Sequence, residues 1–168
     1  MPQQRKKPFL YVVVCAAGIA DGVGKLIGAA LAQGYEVGVI ATPQGLGFFD
    51  ESAVVAQTGR PVRSAWRTPD DPRPFPPADA IVVAPATFNT INKWAAGIAD
   101  TLAVATLCEA YGAGVPTVVL PRVNEALAAH PAYGESLERL RGMGVVVGGP
   151  EFRWEQALEL LAEQRIAN

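Results

Sequence analysis

Cysteine, histidine and charge of one sign are all scarce in this chain, and each scarcity narrows its function. Cys15 and Cys108 are the only two cysteines, each inside an apolar segment. A disulfide framework is therefore not expected, and buried thiols are. Lysine and arginine number 14 against 16 acidic residues, for a net charge of −2. No basic stripe or recognisable module points to nucleic acid. The short run Arg5-Lys6-Lys7 reads as a solvated, frayed terminus. No apolar run reaches the roughly 20 residues that a membrane span needs. The longest, Phe9 to Ala20, resembles a signal sequence only superficially. It leads straight into a glycine-containing turn and a helix–strand unit, as a first core strand does. The expected compartment is the cytoplasm, with no membrane partner and no metal site.

What is present is a core. Half of the 168 residues are hydrophobic and 18% are charged, which fits one folded domain spanning residues 1–168. Apolar runs at Phe9–Cys15, Tyr35–Thr42, Ala80–Ala84, Thr117–Leu120 and Val145–Val147 read as strands. Between them lie stretches with helical spacing: Gly24–Gln33, closed by Gly34; Glu51–Gln57, capped by Asp50; Ile91–Tyr111, broken near Gly97; and Glu135–Met143. Trp154–Ile166 forms a closing helix whose apolar face carries Trp154, Ala157, Leu158 and Leu161. Pro43–Gly47 reads as a loop, and Arg122–Tyr133 as a loop or short helix. Strands separated by helices imply βαβ units. The predicted fold is a three-layer α/β, Rossmann- or flavodoxin-like domain with a mostly parallel sheet. The proline-rich stretch from Arg60 to Ala78, with Trp66 and Phe75, cannot be a regular element; a loop of that length is usually a functional or contact loop.

The most informative segment is Ala84-Pro85-Ala86-Thr87-Phe88-Asn89-Thr90. It places Thr87, Asn89 and Thr90 at the carboxyl end of a buried strand, where a helix begins. Ligands of open α/β sheets bind there, and a helix start offers free N–H groups to an anion. One such residue suffices for a helix cap; three in four positions suggest a polar ligand. At the first strand–helix turn, Gly18 and Gly22 suit close backbone approach to a phosphate, and Gly24 and Gly28 suit tight helix–strand packing. Gly22-Val23-Gly24 with Gly28 is one residue off the dinucleotide fingerprint. The second strand ends in Ala41-Thr42-Pro43 rather than in the acidic residue that a ribose would need. Thr42 offers a hydroxyl to the same phosphate, so three strand ends together describe a mononucleotide site.

These motifs carry a resemblance. Pro85-Ala86-Thr87-Phe88-Asn89-Thr90 resembles the Pro-Ala-Ser-Ala-Asn-Thr motif of the homo-oligomeric flavin-containing cysteine decarboxylases. Gly97-Ile98-Ala99-Asp100-Thr101-Leu102 resembles that family's Gly-Ile-x-Asp-Asn-Leu. Pro121-Arg122-Val123-Asn124-Glu125-Ala126-Leu127 resembles Pro-x-Met-Asn-x-x-Met, with aliphatic residues for both methionines. Ala17-Gly18-Ile19-Ala20 is similar to the family's Gly-Ser-Ile-Ala phosphate turn. The resemblance spans about Phe9 to Val147. It implies an FMN-binding subunit of a homotrimer or homododecamer, with the flavin at the subunit boundary. It implies oxidative decarboxylation of a small thiol carboxylate or of a peptide C-terminal cysteine, as in phosphopantothenoylcysteine decarboxylase and the lantibiotic enzymes. By motif position Gly18, Ile19, Thr42, Pro85, Ala86, Thr87 and Thr90 would contact FMN. Asn89 would hold a substrate carboxylate or the flavin edge, and Asn124 would face the substrate.

One departure bears on the reaction. The family's histidine base precedes the third strand, and the only histidine of this chain is His130, past the second motif. Asp70, Asp71 and Arg67 in the corresponding loop lack the pKa for that role near neutral pH. The alternatives are a flavin-binding protein without decarboxylase activity and a flavin prenyltransferase-like enzyme, for which Arg60, Arg63 and Arg67 are the candidate phosphate ligands. A nicotinamide dehydrogenase is a weaker one. Trp66 reads as a loop or contact anchor before a flavin cover, and Trp94 as core or interface before a flavin contact.

Overall fold

A computed structural model describes residues 6–167. The basic run's Arg5 lies outside them. Five strands, β1 Phe9–Val14, β2 Glu36–Ala41, β3 Ala80–Ala86, β4 Thr117–Pro121 and β5 Val146–Val147, form one sheet in the order β2-β1-β3-β4-β5. Every pairing is parallel. The helices are α1 Val23–Ala32, α2 Glu51–Thr58, α3 Phe88–Ala96, α4 Leu102–Gly112, α5 Glu125–Ala128, α6 Pro131–Gly142 and α7 Gln156–Ala167. The predicted three-layer α/β fold is the observed one, and its sheet is wholly parallel among the described residues.

Alternation along the strands sends side chains to two cores. Leu10, Val12 and Val14 pack with Leu26 and Ile27 of α1 and Leu158 and Leu161 of α7 on one face. Phe9, Val13 and Cys15 pack with Ile91 and Trp94 of α3, Leu107 of α4 and Leu140 of α6 on the other. β3 is buried at every position, as a central strand covered on both faces requires. β1 pairs with β2 on one side and β3 on the other, so the chain reverses its direction of travel across the sheet between them. That reversal opens a crevice at the carboxyl ends of β1 and β3.

Local signals account for the element ends. Asp50 accepts from the Ala53 N–H at the start of α2. Gly97, at φ 74°, ends α3 and splits the long helical stretch. α6 starts at Pro131, ahead of the predicted Glu135, because His130 caps it and proline suits the first helical position. Gly18–Gly22, read as a turn, and Gln44–Phe48, read as a loop, each wind into a short 3-10 helix.

Two glycine roles are corrected. A Cβ on Gly22 would stand 2.9 Å from Trp154 Nε1, so this glycine makes room for the indole rather than for a phosphate. Gly24 and Gly28 face Gln57 of α2, not the sheet; Gln57 Nε2 donates to the Gly24 carbonyl at 2.9 Å. The proline-rich stretch is irregular, as predicted, but tied down. Arg63 bridges β2 through Arg63 N to Val39 O at 3.0 Å and Ala41 N to Arg63 O at 2.8 Å. Phe75 is buried against the rings of Phe9 and Tyr11, and the Tyr11 hydroxyl donates to Pro76 O at 2.6 Å.

Candidate functional site

The crevice at the sheet's reversal point is a cavity of about 590 Å³, within the usual size of a small-molecule site. Four strand ends supply its walls. β1 continues into Ala16, Ala17 and Gly18, β2 into Thr42, Pro43 and Gln44, β3 into Thr87 to Thr90, and β4 into Arg122, Val123 and Asn124. Backbone hydrogen bonds lock these ends together. Cys15 N donates to Pro85 O at 3.1 Å, Thr42 N to Val14 O at 3.0 Å, and Arg122 N to Ala86 O at 2.8 Å.

Thr87 caps α3, its hydroxyl accepting from the Thr90 N–H at 3.4 Å. Thr90 Oγ1 accepts from Thr87 Oγ1 at 3.3 Å and from the Cys15 thiol at 3.4 Å. Thr90 Oγ1 thus ties Thr87 to Cys15 at the floor of the crevice. Thr42 Oγ1 accepts from Gly45 N at 3.1 Å, and Thr42 lines the same crevice. A Cβ on Gly18 would meet nothing within 4 Å, so the backbone there is open to a ligand. Cys15 itself is buried beneath this floor, and burial pushes its thiol up from the ordinary range, against the pull of the Thr90 and Thr87 hydrogen bonds.

Of the residues singled out from sequence, Gly18, Thr42, Thr87, Asn89, Thr90 and Asn124 line the crevice together. Ile19, Pro85 and Ala86 do not. Ile19 packs on the core beside α1, and Pro85 and Ala86 are buried strand residues whose carbonyls hold β1 and β4 in place. Asn124 caps α5, its Oδ1 accepting from Leu127 N at 2.9 Å. Sequence reasoning gave no role to Lys93, Asp100 or Arg122, which also line the crevice. Lys93 and Asp100 form an ion pair at 2.5 Å across the Gly97 break. Their opposite charges seven positions apart, bracketing a helix-ending glycine, were the available signal.

Phe88 forms an aromatic wall of the crevice. It sits between His130, edge-on at 5.8 Å, and Tyr133, stacked at 6.1 Å. His130 does not line the crevice. It is exposed, and its Nδ1 accepts from Ala132 N at 3.0 Å. Trp94 is 2% exposed and belongs to the core. Trp66, Arg63, Arg67 and Arg73 surround a separate cavity of about 440 Å³ against α4. Arg60 pairs with Glu36 at 3.6 Å. The three arginines weighed as phosphate ligands thus lie away from the crevice.

An open parallel sheet with a hydroxyl-rich crevice at its reversal point defines a nucleotide- or flavin-binding α/β protein. The family described as Flavoprotein matches residues 2–161, and the chain belongs to it. Among curated proteins it is 32% identical over 144 residues to the coenzyme A biosynthesis bifunctional protein CoaBC of Mycolicibacterium smegmatis. That match covers 83% of this chain and 34% of the relative, so the chain spans about a third of that protein's length. Among solved structures, the FMN-dependent cysteine decarboxylase TvaF from thioviridamide biosynthesis superposes with a TM-score of 0.81 at 22% identity, covering 96% of this chain and 99% of the other. The FMN-dependent cysteine decarboxylase SpaF superposes at 0.71 with 26% identity, covering 84% and 83%. The likeness to TvaF establishes the fold. Together with the family match, the motif resemblance holds at the level of family and architecture.

Proposed function

We propose that residues 1–168 act as one flavoprotein domain that binds FMN in this crevice and serves the oxidative decarboxylation of a thiol-bearing carboxylate or a peptide C-terminal cysteine. The observation that carries the proposal is the convergence of hydroxyls and open backbone from three strand ends at one point. Gly18, Thr42, Thr87 and Thr90 surround it, within a chain of the flavoprotein family.

The residues fit the group. The open backbone at Gly18 and the hydroxyl of Thr42 suit a phosphate, and Thr87 and Thr90 offer hydroxyls to the rest of the mononucleotide. When bound, FMN supplies the two-electron acceptor that no side chain provides. Ile19, Pro85 and Ala86 act through backbone position rather than side-chain contact. Asn89, exposed at the start of α3, and Asn124, on the β4 side, present amide groups to the substrate. Phe88, Val104 and Leu127 supply the apolar surface that limits water there.

A second reading, a flavin-binding protein without decarboxylase activity, is favoured by one observation. No histidine lines the crevice among the described residues, and His130 is engaged as a helix cap. Assembly into a trimer or dodecamer in the cytoplasm belongs to the same proposal.

The absorbance spectrum of the purified protein, with the chromophore identified by mass, tests the flavin. Protein that is colourless and takes up no added FMN overturns the proposal. Carbon dioxide release from thiol carboxylates and cysteine-ended peptides by the yellow protein separates the two readings.

A further inference from the structure

The charge inventory of the crevice leaves one cation over. Among the described residues Asp100 is the only carboxylate on its wall, and Lys93 holds it. Arg122 lines the same crevice and takes part in none of the ion pairs among the described residues. Its backbone is fixed: Pro121 stands in register with Ala86, and Arg122 N donates to Ala86 O at 2.8 Å. An unpaired arginine whose backbone is fixed at the wall of a ligand-sized cavity selects for an anion.

That anion is not the phosphate of the mononucleotide. The phosphate-suited groups, Gly18 and Thr42, follow β1 and β2, whereas Arg122 follows β4. In the order β2-β1-β3-β4, three strand spacings separate the ends of β2 and β4, about 14 Å at the usual inter-strand distance. Arg122 therefore serves a second anion at the opposite end of the crevice.

The neighbouring groups define its chemistry. Asn124 Oδ1 accepts from the Leu127 N–H, and its Nδ2 donors have no partner among the described residues. No carboxylate besides Asp100 lines the crevice among the described residues. Val123 and Leu127 flank these donors with aliphatic surface. A planar donor fork, an amide donor and an aliphatic margin match a carboxylate on a short organic body. We infer that Arg122 is a specificity-determining residue that captures the carboxylate of the substrate, an inference that rests on the proposed flavin-dependent reading of the crevice. A cation holds a carboxylate more tightly than the neutral carbon dioxide it becomes. Arg122 thus acts in capture of the substrate, not in acceleration of the chemical step.

The test uses FMN-loaded protein and two unreactive probes, N-acetyl-L-serine and its carboxamide, which carry a hydroxyl in place of a thiol. Binding is followed by perturbation of the flavin absorbance and of backbone amide resonances. The protein should prefer the carboxylate by about tenfold. Arg122→Gln should abolish that preference while retaining FMN, and Arg122→Lys should keep part of it, as a point charge without the fork. An unchanged preference in Arg122→Gln, or equal binding of both probes by the unmodified protein, overturns the inference. If the protein takes up no FMN, the flavin reading fails by that observation alone, and the same probes titrated against the amide resonances of the flavin-free protein still decide the role of Arg122.

Discussion

Thr90 Oγ1 accepts from the Cys15 thiol at 3.4 Å, joining the end of β1 to the first turn of α3 beneath the crevice. The two residues lie 75 positions apart. Through this contact the floor of the crevice is built from buried groups, with Thr90 at 3% and Cys15 at 1% exposure. A site whose floor is core cannot be altered without a measurable structural cost, and that cost has to be separated from the effect on a ligand.

Thr87→Ala removes the hydroxyl that caps α3 and should lower stability by about 1 kcal/mol. Thr87→Ala with Thr90→Ala removes two hydroxyls that line the crevice and should weaken FMN about tenfold, the loss expected of one hydrogen bond to a charged ligand. Retained FMN and thermal midpoint, measured on the same sample, separate the two effects. A folded double variant with undiminished flavin would sink the assignment of these threonines.

Cys15 carries a pH signature. Burial raises its pKa in the folded chain, whereas in the unfolded chain the thiol ionises from about pH 8.5 upward. Above that pH the folded state binds more protons, so the contribution of this thiol is complete below the unfolded pKa and is lost as pH rises. Urea midpoints should fall between pH 7 and 9.5, and Cys15→Ala should flatten part of that slope. A thiol reagent at pH 8 should modify the half-buried Cys108 and spare Cys15 until denaturant is added. Rapid labelling of both thiols in the native protein would contradict the burial of Cys15.

Two glycines of one turn should respond in opposite ways. A Cβ at Gly18 meets open space, and one at Gly22 meets the Trp154 indole at 2.9 Å. Gly22→Ala should cost about 1–3 kcal/mol through displacement of Trp154, with loss of its native fluorescence environment. Gly18→Ala should leave the urea midpoint unchanged and lower FMN affinity. If Gly18→Ala instead destabilises the apoprotein, the open backbone at this turn serves the fold rather than a ligand.

The difference between those glycines also marks what the sequence could reveal. Strands β1 and β3, the Asp50 cap and the break at Gly97 were legible because each is signalled within a few residues of itself. That Gly18, Thr42, Thr87 and Thr90 line one crevice was legible because strand ends of a parallel sheet converge at its reversal point whatever the details of packing, and Asn124 was legible through the second motif alone. The partnership of Gly22 with Trp154 was not, because it joins the first turn to the segment before α7 and depends on how the α1 and α7 layer packs. Arg122 was written into the second motif, but its lack of a partner is a property of three-dimensional charge pairing. Ile19, Pro85 and Ala86 were placed at the ligand by motif position, which does not distinguish a residue that lines a site from one whose backbone supports it.

The proline-rich stretch is held by one side chain more than by any other. Phe75 is 6% exposed and packs at 5.8 Å from the rings of both Phe9 and Tyr11, next to the Tyr11 hydroxyl bond to Pro76 O. It also fills the space beside Gly38 of β2, where a Cβ would stand 2.8 Å from its ring. Most of the loop between Arg63 and Phe75 is exposed, so the Arg63 bridge and the Phe75 anchor fix its two ends. Phe75→Ala should cost about 3–5 kcal/mol and release the second end. Limited trypsin digestion should then cut after Arg67, in the exposed part of the loop, before the rest of the chain is attacked. Phe75→Leu, which refills much of the volume, should restore most of the protection. The crevice lies at the strand ends, away from this anchor, so FMN retention by the folded fraction should be unchanged. Parallel loss of flavin and of loop protection in Phe75→Leu would instead tie the loop to the cofactor site.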